Sequence, residues 1–303
     1  MKIGKIIIGS RGSKLALIYA EKAKDALKNV FNGNIEIKKI STTGDQNQNE
    51  RLSEIGGKGL FSKNIELQLI EKKIDIAVHA LKDMPSFETK GLYTGCFLKR
   101  NYSNEILISK NKIKFDKLKP KSIVGTSSLR REYQLKRKRN DLIFKLIRGN
   151  VDTRIKKLKE GTYDAIILSK AGIDCLKLND QISEEFLDND IIPSAGQGII
   201  AIQCRQEDSE MIDLLKKIND EKTKMSALAE KEVLKTLDGD CDTAIGVSSV
   251  IKDKTITIEA ELFSIDGKKR YYIKSEKELK LASELGKEMG KILKERSKGS
   301  YKN

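Results

Sequence analysis

Arginine is used sparingly in this chain and is concentrated in one stretch. Of twelve arginines, seven lie between Arg100 and Arg154. Four of these occupy two short segments rich in small polar residues. One is Val124-Gly125-Thr126-Ser127-Ser128-Leu129-Arg130-Arg131 and the other is Arg148-Gly149-Asn150-Val151-Asp152-Thr153-Arg154. Elsewhere lysine supplies most of the positive charge, so geometry rather than charge alone explains the choice of arginine. A guanidinium offers a planar fork of donors that grips a carboxylate or phosphate in bidentate fashion, which an ammonium cannot do. Glycine, serine and threonine beside it bring backbone N–H groups and hydroxyls close to a ligand. The two segments predict an anion-binding floor.

Asp83 is the strongest acid–base candidate. It closes an apolar run, follows Lys82 and precedes Met84-Pro85. An isolated Asp-x-Pro ordinarily marks a turn or a helix cap. Facing a cationic cleft, the carboxylate is either a counter-ion or the group that handles a proton and a developing positive charge. Cys241 lies in the loop Asp238-Gly239-Asp240-Cys241-Asp242, an exposed setting for a residue that usually hides. Its flanking aspartates discourage a thiolate, so a conventional nucleophile is disfavoured, while a covalently modified thiol and an ordinary packed cysteine both remain open. Cys96 and Cys204 read as small core residues and His79 as a structural hydrogen-bonding residue. Gly56-Gly57-Lys58-Gly59-Leu60-Phe61 lacks the spacing of a nucleotide-binding loop, and a hinge for a lid that brings Lys58 to the ligand fits it better.

These residues are positioned by alternating short apolar runs and amphipathic stretches, the pattern of an α/β domain with buried strands. Strands are expected at 6–9, 35–40, 74–79, 122–125, 142–146, 163–168 and 199–202. Helices are expected at 13–28, 60–72, 127–138 and 151–159. The polar segment 41–59 has the length of a lid loop. Ile8-Gly9-Ser10-Arg11-Gly12-Ser13 is echoed by Val124-Gly125-Thr126-Ser127-Ser128, and Asp75–His79 by Asp164–Leu168. The echo predicts two similar lobes with a cleft between them, and ligands in such folds gather at the carboxyl ends of the strands. The run after Gly196-Gln197-Gly198 reads as a crossover back into the first lobe. From about residue 219 a small α+β domain follows, with a helix at 225–237, strands at 245–251, 255–264 and 270–274, and a helix at 277–296.

With 303 residues the chain has room for two or three cores. Its formal charge of +15 permits a polyanionic partner, but aromatic residues are scarce and Trp is absent, which argues against a stacking platform for nucleic acid. Four scattered cysteines and one histidine give no metal-site spacing. No secretory signal and no bilayer-length apolar stretch is evident, so a soluble cytoplasmic protein is expected, without membrane or nucleic-acid partners.

Taken in order, these motifs resemble the porphobilinogen deaminase (hydroxymethylbilane synthase) family. The matching segments are Gly9–Ala16, Gly57–Phe61, His79–Pro85, Val124–Arg131, Arg148–Arg154, Tyr163–Leu168, Pro193–Gly198 and the loop around Cys241; they span residues 3 to about 265. The resemblance implies two lobes of the type II periplasmic-binding-protein kind, 1–98 with 198–218 and 99–197, and a C-terminal α+β domain, 219–303. It implies a monomeric transferase that condenses four porphobilinogen molecules head to tail, with loss of ammonia. The condensation uses a dipyrromethane cofactor held by a thioether, and the matching residue is Cys241. By the same match Asp83 assists ammonia loss and stabilises the resulting cation. Lys82, Ser128, Arg130, Arg131 and Arg154 hold cofactor carboxylates, Asp83 also belongs to the cofactor-binding set, and Arg11 and Arg148 hold the carboxylates of the incoming substrate. A non-catalytic anion-binding protein on the same scaffold is the alternative; it would need the arginines but not Asp83 or a modified Cys241. Three departures stand out: Ala244 where proline is usual, Asp240 where glycine is usual, and Cys175 where the family commonly carries an arginine near the carboxylates. Losing that guanidinium would cost roughly 1.5–3 kcal/mol unless Lys170 or Lys177 replaces it.

Overall fold

A computed structural model describes residues 4–42, 59, 61–187, 190–239 and 243–302. Lys58, Cys241 and nearly all of the predicted lid segment lie outside the described residues. The strands β1 (Lys5–Arg11), β2 (Asn34–Ile40), β3 (Ile76–Ala80), β4 (Leu92–Phe97) and β10 (Ile200–Arg205) form one sheet in the order β2-β1-β3-β10-β4. A second sheet contains β5 (Glu105–Ser109), β6 (Ile123–Gly125), β7 (Ile143–Lys145), β8 (Ala165–Ser169) and β9 (Glu184–Glu185), ordered β7-β6-β8-β5-β9. Each sheet has three adjacent parallel strands, and a fourth strand runs antiparallel to both of its neighbours. In both sheets that antiparallel strand follows a crossover from the other lobe. This strand order and crossover define the type II periplasmic-binding-protein arrangement.

The sequence echo is a physical repeat. Ile8 and Gly9 pair with Ile76 and Ala77, as Val124 and Gly125 pair with Ala165 and Ile166. In each lobe an aspartate just before the central strand closes the same clamp. Asp75 Oδ2 accepts from Ile7 N at 2.8 Å and Asp164 Oδ2 accepts from Ile123 N at 2.8 Å. The aspartate backbone N–H groups donate in turn to Ile7 O and Ile123 O. Strands β3, β5, β8 and β10 are almost wholly buried, which is why they read as continuous apolar runs rather than alternating ones.

Helices cover the sheets: α1 (Lys14–Lys28), α2 (Lys63–Ile70), α3 (Leu129–Lys138), α4 (Val151–Lys159), α5 (Lys170–Cys175) and α6 (Ser209–Lys216). The third sheet, β11 (Ile245–Lys252), β12 (Thr255–Phe263) and β13 (Arg270–Glu278), packs against α7 (Glu221–Leu237) and α8 (Ala282–Ser297). The helix expected from 277 begins at Ala282. Residues 270–278 alternate in burial at every step, so the strand period extends through Glu278 before a short 3₁₀ turn intervenes. Leu281 therefore sits at the helix cap, while Leu285, Met289 and Leu293 form the buried stripe. The helix expected at 60–72 is confined to Lys63–Ile70.

Candidate active site

Each candidate side chain sits beyond the end of a parallel strand. β1 delivers Arg11, and Ser13 then caps α1 by accepting from Ala16 N. β3 runs into a 3₁₀ turn, Leu81–Asp83, which turns Lys82 and Asp83 into the cleft. In the second lobe β6 leads to Ser128, whose hydroxyl caps α3 by accepting from Arg131 N at 3.4 Å. Arg130 and Arg131 occupy the first turn of that helix. The segment after β7 carries Arg148, and α4 carries Arg154. Together these residues line one cleft of about 350 Å³. Leu15, Leu168, Leu176 and Leu178 supply an apolar flank, and Leu234, Thr243 and Ile245 close it from the third sheet's side.

Asp83 Oδ2 lies 3.7 Å from Arg11 Nη1, and the Arg11 guanidinium stacks 4.1 Å over the Phe61 ring. The Lys82 ammonium donates to Gln197 Oε1 at 3.3 Å. Burial lowers the Lys82 pKa, although the neighbouring Asp83 works against the shift. Arg154 donates from Nε to Gly149 O at 2.8 Å. Burial, then the charges of Arg131 and Arg148, push its pKa down to about 10. Burial and the charge of Arg11 likewise lower Arg148. These cations crowd one another across the two lobes, and an anion placed among them relieves both the repulsion and the desolvation. Beneath them lies Glu105, fully buried, with one oxygen on each of Arg130 and Arg131. Arg131 Nε is buried without a partner among the described residues.

The structure thus brings Arg11, Lys82, Asp83, Ser128, Arg130, Arg131, Arg148 and Arg154 into one cleft. His79 is buried, and desolvation lowers its pKa to about 4, which keeps it neutral. The sequence reading did not single out Glu105, Gln197 or Lys22. Glu105 carried a signal, as an acid heading the apolar run Ile106-Leu107-Ile108. Gln197 is legible in the sequence only as part of a crossover. Lys22 reaches from α1 of the first lobe to Cys175 of the second, with Nζ 3.3 Å from Sγ. It is this cation, rather than Lys170, that meets the thiol, since Lys170 is paired with Glu185. Among the described residues no group of His, Cys, Asp and Glu is arranged to hold a metal, and no helix is long and apolar enough to cross a membrane.

A two-lobed scaffold whose cleft sets a carboxylate among a dense group of guanidinium groups suits a polycarboxylate ligand. Residues 6–213 match the family model described as porphobilinogen deaminase, dipyromethane cofactor binding domain, and residues 224–295 match that of the porphobilinogen deaminase C-terminal domain. A porphobilinogen deaminase of Macrococcus caseolyticus is 44% identical over 271 residues, covering 89% of this chain and 88% of that protein. One from Staphylococcus aureus strain MRSA252 is 41% identical over 301 residues, covering 98% and 96%. Among solved structures, a putative methionine-binding lipoprotein of Bacillus subtilis aligns with a TM-score of 0.45 at 14% identity, over 73% of this chain and 92% of that one. The chain belongs to the porphobilinogen deaminase family. Its activity is that of a hydroxymethylbilane synthase, a transferase that joins four porphobilinogen units with loss of ammonia and uses a dipyrromethane cofactor.

Proposed function

We propose that Asp83 is the catalytic carboxylate of this transferase and that the arginines around it divide their work between cofactor and substrate. Each pyrrole unit bears an acetate and a propionate, so a dipyrrole presents four carboxylates, and the donor set of this cleft fits such a group. In this reading Lys82, Ser128, Arg130, Arg131 and Arg154 hold the dipyrromethane carboxylates. Ser128 does so with its hydroxyl already engaged as a helix cap, so it acts chiefly by fixing the first turn of α3. When bound, the dipyrromethane supplies the nucleophilic pyrrole carbon on which condensation occurs. Arg11 and Arg148, one from each lobe, receive the carboxylates of the incoming porphobilinogen. Asp83 assists departure of ammonia and stabilises the cation left on the substrate. One observation carries this reading: Asp83 converges with guanidinium groups from both lobes at the carboxyl ends of the parallel strands.

Cys241 is proposed as the thioether anchor on its sequence match. Thr243, two residues further on, lines the cleft, which supports the proposal. Lys58 is assigned to ligand contact on sequence alone. The domain limits 1–98 with 198–218, 99–197 and 219–303 are supported by three separate sheets with their own cores. A cytoplasmic monomer without a nucleic-acid partner completes the reading.

The test is the mass of the intact, denatured chain. The expected result is a covalent dipyrrole adduct that Cys241→Ser abolishes; an unmodified parental mass would remove the anchor. Asp83→Asn should keep the adduct and bind porphobilinogen while kcat falls by roughly 10²–10⁴-fold. Near-parental kcat would take Asp83 out of the chemistry.

A further inference from the structure

Arg130 and Arg131 stand in the first turn of α3, where the helix dipole disfavours positive charge. They are adjacent, both are nine-tenths or more buried, and desolvation lowers the pKa of Arg130. Two cations so placed would repel each other and turn toward water. Glu105 prevents this. It is the first residue of β5, immediately after the crossover between the lobes, and none of it is exposed. Its Oε1 accepts from Arg130 Nη2 at 2.6 Å and its Oε2 lies 2.7 Å from Arg131 Nη2. Each guanidinium is pinned a second time by a backbone carbonyl, Arg130 Nη1 to Ile192 O at 2.9 Å and Arg131 Nη1 to Ile167 O at 3.2 Å. Burial would raise the Glu105 pKa, but the charges of Arg131 and Arg130 overcome it and hold it at about 2. Lys82 of the opposite lobe also feels that charge.

We propose that Glu105 is a positioning residue of the cofactor floor, fixing the planes of Arg130 and Arg131 so that the buried Arg131 Nε faces a cofactor carboxylate. This rests on the proposed assignment of that floor to the dipyrromethane. Glu105 touches neither ligand; it acts through the arginines. Its effect therefore falls on capture of the cofactor rather than on affinity for the incoming monomer, which Arg11 and Arg148 receive.

The full-length chain is produced in cells unable to make porphobilinogen, supplied with porphobilinogen, and followed by intact mass as the adduct appears. Glu105→Gln keeps the volume but turns an amide N–H₂ toward one guanidinium. It should slow adduct formation roughly ten- to hundredfold, the worth of one or two charge-assisted hydrogen bonds. The KM for porphobilinogen of the fraction that does load should stay within about twofold of the parent. Glu105→Asp, which keeps the charge but is one methylene shorter, should recover at least part of the rate and serves as the test where the glutamine variant does not fold. Loading of Glu105→Gln at the parental rate would overturn the proposal. So would equal loss of loading and of KM in both variants, which marks general collapse of the site. A parental chain that gains no adduct would overturn the cofactor reading itself, a distinguishable outcome.

Discussion

At the scale of single residues, the cleft shows how one charge can be supplied from an unexpected direction. Position 175, where the family pattern has an arginine, carries a thiol, and the ammonium of Lys22 meets it from the other lobe. Tyr19, one turn earlier on the same helix, has its pKa raised by burial and then by the nearby Cys175 and Asp83. An ammonium at the cleft margin can take a pyrrole carboxylate, though as a point charge rather than a fork. Lys22 is solvent-exposed, so its contact should be worth about 1 kcal/mol or less. Lys22→Ala is accordingly expected to raise the KM for porphobilinogen by roughly three- to fivefold, with kcat and adduct mass unchanged. Cys175→Arg alone should gain little, because the guanidinium would meet the Lys22 ammonium. The double variant should return KM to near the parental value. Steady-state kinetics on the four proteins decides it; a Lys22→Ala enzyme with parental KM would leave the ammonium a purely structural partner of the thiol.

At the scale of elements, the parallel strands and the helices after them were legible because their burial gives clear apolar runs and their ends carry Gly, Ser or Asp. The repeat was legible for the same reason: the Asp75 and Asp164 clamps require the same residue at the same step of each lobe. Strands β4, β5 and β9 were not: Leu92-Tyr93-Thr94-Gly95-Cys96-Phe97 mixes a glycine and a threonine into an edge strand, the β5 apolar run is only Ile106-Leu107-Ile108, and β9 is two residues long. The first lobe's return strand β10 was read from its glycines. Gly198 there has φ +80° and a Cβ built on it would lie 2.4 Å from Tyr102 O and 2.9 Å from Asn101 O. Backbone oxygens cannot step aside as a side chain can. Gly198→Ala should cost about 3 kcal/mol or more, combining left-handed strain of 1–2 kcal/mol with overlap. In differential scanning calorimetry that corresponds to a Tm lower by roughly 5–10 °C. Gly91→Ala is the matched control: φ is +84° but nothing lies within 4 Å. Its loss should be confined to the strain, roughly 2–4 °C. Equal losses at the two positions would show that the close approach at the crossover carries no energy. What the sequence does not disclose is the partner of Glu105 or of Lys22, because each contact joins side chains of different elements that only the fold brings together.

At the scale of the molecule, the three sheets meet around one buried carboxylate. Glu230, on α7, is fully buried and accepts from Arg100 Nη1 at 2.6 Å, Ser249 N at 2.9 Å and Ser249 Oγ at 2.7 Å through one oxygen. Its other oxygen accepts from Gly196 N at 2.7 Å and Arg100 Nη2 at 3.3 Å. Arg100 lies on the outgoing crossover between lobes and Gly196 on the returning one, while Ser249 belongs to β11 of the third sheet. Arg100 also donates from Nε to the backbone oxygen of Gln197 at 3.0 Å, the residue whose side chain accepts from Lys82. A fully satisfied buried network of this kind fixes geometry, whereas a half-satisfied one is costly. Removing either partner alone should therefore destabilise the chain by about 3–5 kcal/mol, because an uncompensated charge is left in the interior. Glu230→Gln and Arg100→Met should each show it in urea denaturation, with the C-terminal transition separating from that of the lobes. The Glu230→Gln, Arg100→Met double variant should lose less than the sum of the two, since neither charge remains buried unpaired. Additive losses would mean that the pair is not what couples the third sheet to the two crossovers, leaving that to contacts such as Val247 N with Pro193 O and Arg100 N with Thr223 Oγ1.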